Sequence, residues 1–162
     1  MSAYLSDPGR LGDVIAAIQA TATYKFYKLS FEGWAERISA DKERASHWKR
    51  VFVEHPEFFR LDGDRTKASL VWRRQYPRCY YVDEGRALTT NELRQLSDDV
   101  RGNRVSRSPL TAADINTLIK TAVDMHSRAL DAKKESRWWI PLAAAVGSLL
   151  GALAGALLTE RF

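Results

Sequence analysis

Lys42-Glu43-Arg44-Ala45-Ser46-His47-Trp48-Lys49-Arg50-Val51-Phe52-Val53-Glu54-His55-Pro56 runs on through Glu57-Phe58-Phe59-Arg60-Leu61, then Asp62-Gly63-Asp64, to Ala68-Ser69-Leu70-Val71-Trp72. The fold turns on how this stretch is read. Helical spacing gathers Ala45, Trp48, Val51, Phe52 and His55 on one face and Lys42, Ser46, Lys49, Arg50 and Val53 on the other. The spacing predicts a helix from Lys42 towards His55, stopped by Pro56, which cannot donate a backbone hydrogen bond. Phe58–Leu61 and Ala68–Trp72 then read as the two strands of a hairpin that turns at Asp62-Gly63-Asp64.

Towards the N-terminus, Asp7-Pro8 offers a helix start, and Leu11, Val14, Ile15 and Ile18 make its apolar face. Tyr24-Lys25-Phe26-Tyr27-Lys28-Leu29 reads as a short strand or extended link. Ser30 can cap a second helix, with Leu29 and Trp34 at the spacing of a hydrophobic staple and Trp34, Ala35 and Ile38 facing inward. Helix, short strand, helix, helix and hairpin follow one another in this order over residues 7–74. In that pattern the chain resembles the winged-helix superfamily. The resemblance implies an α+β domain in which the third helix is a recognition element and residues 62–67 form a wing.

On the other side, Arg73 to Tyr81 is basic and aromatic, and Asp83-Glu84-Gly85-Arg86 is a turn. Thr89 with Glu92 has capping-box spacing, and Ser97–Ser108 reads as a surface loop. Thr111 with Asp114 starts a long helix. On it Ile115, Leu118, Ala122, Met125, Ala129 and Ala132 trace a thin heptad seam, suited to docking on the domain or to pairing with copies of itself.

From Trp138 to Leu158 there are 21 residues without a charge, about 30 Å as a helix and so the depth of a bilayer core. Lys133, Lys134, Arg137, Trp138 and Trp139 stand where interfacial anchors belong. Gly147, Gly151 and Gly155 recur every fourth residue, the spacing that lets two helix backbones approach in lipid. The expected organisation is a winged-helix-like domain at 1–82, a short helix and loop linker at 83–110, an amphipathic connecting helix at 111–137, a transmembrane helix at 138–158 and a tail at 159–162. The N-terminus has no basic and apolar leader. The expectation is a single pass through the inner membrane, with the domain in the cytoplasm and a homo-oligomer formed through the glycine row.

Motifs for chemistry are missing: no phosphate-binding glycine loop, no H-E-x-x-H and no G-x-S-x-G occurs. His47, His55 and His126 are scattered and Cys79 is the sole cysteine, so no metal site, cofactor or catalytic residue is expected. Formal net charge is +5, from 25 Lys and Arg against 20 Asp and Glu. Lys42, Lys49, Arg50, Arg73, Arg74 and Arg78 are the candidate partner surface, interrupted by Glu43, Glu54 and Glu57. The reading is a non-enzymatic module that meets a protein partner at the membrane. The alternatives are a tethered DNA-binding protein, in which the same cations meet phosphates, and an oligomeric membrane-active scaffold.

Finally, Tyr24–Leu29, His55-Pro56-Glu57-Phe58-Phe59-Arg60-Leu61, Val71-Trp72-Arg73-Arg74-Gln75-Tyr76-Pro77 and Arg137-Trp138-Trp139-Ile140-Pro141-Leu142 resemble a bacterial family of small single-span membrane proteins. Members often carry the label N-carbamoyl-L-amino acid hydrolase. That label implies a metal-dependent reaction, for which three scattered histidines supply no ligand set.

Overall fold

The computed structural model describes residues 2–135, together with Ala145 and Ser148. In chain order it forms α1 (Arg10–Thr23), β1 (Lys28–Ser30), α2 (Phe31–Ser39), α3 (Ala45–Glu54), β2 (Phe59–Leu61), β3 (Lys67–Leu70), β4 (Tyr80–Tyr81), β5 (Arg86–Ala87), α4 (Thr90–Gln95), α5 (Asp98–Arg104), β6 (Val105–Ser106) and α6 (Ala112–Glu135). The fold is α+β. Two antiparallel sheets have the strand orders β1-β3-β2 and β5-β4-β6.

Local chemistry explains the boundaries. Asp7 does not cap α1. Its carboxylate accepts the Gly9 N–H at 2.8 Å, which spends Asp7 on a turn and delays the helix to Arg10. Ser30 caps α2 through the Gly33 N–H at 3.2 Å. Ala40 closes α2 in the left-handed region at φ 54°. Asp41 then caps a single 3-10 turn, Lys42–Arg44, before α3 begins, so the predicted third helix starts in two steps.

The register of the first sheet sorts its side chains. Leu29 pairs with Ala68, Ala68 with Leu61, and Phe59 with Leu70, and this face turns into the core. Lys28, Ser69 and Arg60 form a row on the opposite face. Beneath the sheet, Trp34, Val51, Phe52 and Ile18 are fully or almost fully buried. The Trp34 indole N–H donates to Ala68 O at 2.9 Å, which ties α2 to the middle strand. Phe52 meets Phe59 edge to face with ring centroids 4.9 Å apart.

Residues 83–110 are more ordered than a loop linker. Tyr80 pairs with both Ala87 and Ser106, so the second sheet crosses the expected boundary at residue 82. Ser97, expected in a loop, caps α5 through the Val100 N–H at 3.4 Å. Asp98 and Asp99 lie in the first turn of α5 and Arg104 at its end, charges that suit the helix dipole. The capping boxes at Thr89 and Thr111 form as expected.

Helix α6 docks on the domain. Leu118 and Ala122 are buried against the core, and Ile115, Met125 and Ala129 pack beside them. The seam thus meets α1 rather than standing free as far as Ala129; Leu130 to Glu135 are exposed. Among the described residues, no helix is long and apolar enough to cross a membrane. Apart from Ala145 and Ser148, the expected span 138–158 and tail 159–162 lie outside them, as do Arg137, Trp138, Trp139, Gly147, Gly151 and Gly155.

Candidate interaction surface

Helix α3 divides its residues as its spacing predicts. Trp48, Val51 and Phe52 are buried, and Ser46, Lys49, Arg50 and Val53 face solvent, with Val53 41% exposed. Lys49 Nζ stands 5.5 Å from the centre of the Phe31 ring. The Arg44 guanidinium lies 5.8 Å from that of Trp48. These cation–π contacts orient the chains and leave the charges uncancelled.

Beside α3 lies the β2–β3 hairpin, whose tip is organised by Asp62. The Asp62 carboxylate accepts the N–H groups of Thr66 at 2.8 Å and Lys67 at 3.0 Å. The Lys67 N–H is the main reason its carboxyl is held below the usual range, with the Thr66 N–H and the charges of Lys28 and Lys67 adding to it. Arg65 takes the left-handed conformation at φ 56°, which closes the turn. Between hairpin and helix is a groove of about 380 Å³, lined by Val53, Pro56, Leu61, Arg60 and Arg65 among others. The lining is mostly polar, with Arg60 and Arg65 against the single carboxylate of Asp62 and with Phe52, Val53, Phe59 and Leu61 between them, which suits a partner segment that mixes carboxylates with apolar side chains.

The other predicted cations do not join this face. Lys42 is exposed but pairs with Glu36 at 3.5 Å, which offsets its charge. Arg73 must be corrected: it is fully buried, not a surface residue. Its Nε donates to Ser108 O, Nη1 to Thr21 O and Tyr24 O, and Nη2 to Lys25 O and Arg107 O. Burial pushes its pKa down to about 10, still far enough above neutrality to keep it charged. Arg73 is thus a clamp joining the end of α1 to the strand that leads into α6. Arg74 is exposed and reaches Ser69 Oγ at 3.4 Å, on the sheet face turned away from α3. Arg78 closes the end of α5, donating to the carbonyls of Arg101, Gly102 and Val105. Lys133 and Lys134 lie exposed in the last turn of α6, with Lys134 3.7 Å from Asp131.

A polar group that sequence reasoning missed sits where the N-terminus, α3 and α6 meet. The Tyr4 hydroxyl donates to Glu57 Oε1 at 2.9 Å, and His55 Nδ1 lies 3.0 Å from the same oxygen. His126 of α6 stacks edge-on against Tyr4 at 6.1 Å. Burial tends to raise the Glu57 carboxyl, but the bonds from His55, its own N–H and Tyr4 together hold it below the usual range. Burial, then Glu57, pushes the Tyr4 phenol upward. His55 is 0% exposed while Glu57 reaches solvent, and the group pins the N-terminal segment and α6 to the domain. Arg10 adds a second pin, 3.0 Å from Glu54. The only hint in the sequence was the pair His55 and Glu57 around a proline; Tyr4 and His126 are too distant in sequence to be linked by spacing.

Among the described residues, no group of three His, Cys, Asp or Glu is placed to hold a metal. Comparison with protein-family models, with curated proteins and with solved structures gave no match.

Proposed function

We propose that this chain is a winged-helix-like interaction module held at the inner membrane, which meets an acidic, partly apolar protein segment with α3 and the β2–β3 hairpin. The observation that carries this reading is that Lys49 and Arg50 stand in solvent, outside any ion pair among the described residues, on the helix whose Phe52 and Val53 wall a groove that also holds Arg60 and Arg65. The order α1, β1, α2, α3, β2, β3, with the sheet order β1-β3-β2, supports the winged-helix reading. The uncharged run 138–158 supports the membrane anchor. Helix α6 leaves the domain after Ala129 and continues to Glu135, roughly 9 Å of further helix, a short distance that supports a domain held near the bilayer surface. The glycine row supports self-association within the anchor.

The test is site-specific photocrosslinking in native membranes from a probe at Val53. A discrete adduct with a protein is expected, lost in a Lys49→Glu/Arg50→Glu variant. An adduct that persists in that variant, or forms equally from a probe at Gln95 on α4, would remove the reading.

DNA binding by the same face is the second reading. The same two uncompensated cations, with Arg65 at the hairpin tip, favour it. It requires an affinity that falls steeply with salt and disappears in Lys49→Glu/Arg50→Glu. Salt-independent binding, or none, removes it.

A further inference from the structure

A second basic site lies away from α3, where the two sheets meet. Lys28 pairs with Ser69, and Lys67 with Ser30, so both lysines stand on the outward face of the first sheet. They line a groove of about 300 Å³ with Phe26, Tyr27, Arg78, Gly102, Asn103 and residues of β6. The lining carries three cations and no carboxylate. The groove is held shut at its base by Ser106, whose hydroxyl accepts the Tyr27 N–H at 3.0 Å.

The local charges favour an anion. Arg78 spans the carbonyls of Arg101 and Gly102 at the end of α5, so it offsets the partial negative charge of that helix terminus. Two carboxylates nearby are already engaged. Asp62 takes the N–H groups of Thr66 and Lys67, and Asp99 accepts from Asn103 Nδ2 at 2.8 Å. Among the described residues, Lys28, Lys67 and Arg78 form no ion pair. Asp62 acts on Lys28 and Lys67 from outside the lining, so the three cations are only partly compensated, and an anion in the groove relieves the remaining repulsion.

We infer that this groove binds a phosphate-bearing ligand of nucleotide size through Lys28 and Lys67. Two ammonium groups from paired strands suit phosphoryl oxygens, which accept several charge-assisted hydrogen bonds at once. The volume admits one nucleotide, either free or as one unit of a strand. The lining shares no residue with that of the groove beside α3, although Lys67 begins the β3 strand of the same hairpin, and the inference does not rest on the function proposed for that groove.

The experiment is calorimetric titration of the full chain, reconstituted in lipid nanodiscs, with ADP and separately with a short oligodeoxythymidylate, each competed by pyrophosphate. Saturable binding of ADP identifies a free nucleotide as the source of the phosphate; binding of the oligonucleotide alone identifies a strand. In either arm Lys28→Gln/Lys67→Gln should weaken binding about tenfold or more, while Lys49→Glu/Arg50→Glu leaves it unchanged. Lys67→Gln alone, at an exposed position where folding is not at risk, should give an intermediate loss. The inference is overturned if neither probe binds saturably, or if the double glutamine variant binds like the wild type. Oligonucleotide binding lost only in the α3 variant would also overturn it, and would assign that binding to the other face.

Discussion

Replacing Arg73 with alanine should be among the most damaging single changes in this chain, although the residue lies in a basic run that reads as surface. The wild-type guanidinium donates to five backbone carbonyls from two separate segments: Thr21, Tyr24 and Lys25 on one side, Arg107 and Ser108 on the other. Hydrogen bonds from a charged donor contribute ~1.5–3 kcal/mol each, and carbonyls left buried without a donor add a further penalty. Water entering the vacated space would recover part of this. The expected loss is therefore about 3–5 kcal/mol, a large share of the 5–15 kcal/mol typical of a whole domain. Arg73→Lys keeps the charge but has three donors on one point, so it should lose roughly half as much. The assay is chemical denaturation of the full chain in detergent, with hydrogen exchange to locate the damage. Exchange should rise first at the end of α1 and at residues 107–110, because those are the segments the clamp joins. Arg73→Ala within about 1 kcal/mol of the wild type would show that the carbonyls find other donors, and the clamp argument would fail.

Three further changes probe other contacts. Glu57→Gln should cost ~1–2 kcal/mol near neutral pH, since its bonds to Tyr4 and His55 favour the carboxylate. Because the folded-state pKa is lowered, that stability is present above the unfolded pKa of about 4.3 and is lost as pH falls through the folded value. The wild type should therefore lose more stability on acidification than the variant, as read by denaturation at a series of pH values; parallel curves would contradict this. Trp34→Phe removes the donor to Ala68 O from a fully buried site and should cost ~1–3 kcal/mol in the same assay. Gly151→Leu should weaken self-association in a bilayer reporter assay, and an unchanged signal would favour a passive anchor.

Most of the fold was legible wherever period and caps agreed. Helix α3 divides into buried Trp48, Val51 and Phe52 and exposed Ser46, Lys49 and Arg50 because 3.6-residue spacing separates apolar from charged side chains there. The hairpin and the boxes at Thr89 and Thr111 have turn and cap chemistry contained in a few adjacent residues. Ser97–Ser108 was not legible as structure, because α5 has only Val100 as an apolar residue and no buried face; a cap and a favourable charge order hold it instead. Arg73 was misread for a different reason. Its partners are main-chain carbonyls far along the chain, and a carbonyl leaves no trace in residue identity. The same holds for Tyr4 and His126, brought together only when α6 packs along α1.

The interaction reading depends on the domain being held at a bilayer by residues 138–158, and alkaline carbonate extraction of cell membranes tests this most directly. The full chain should stay in the pellet and enter the supernatant only with detergent, while a chain ending at Glu135 should be released without it. A full chain that leaves the membranes in carbonate alone would contradict the account.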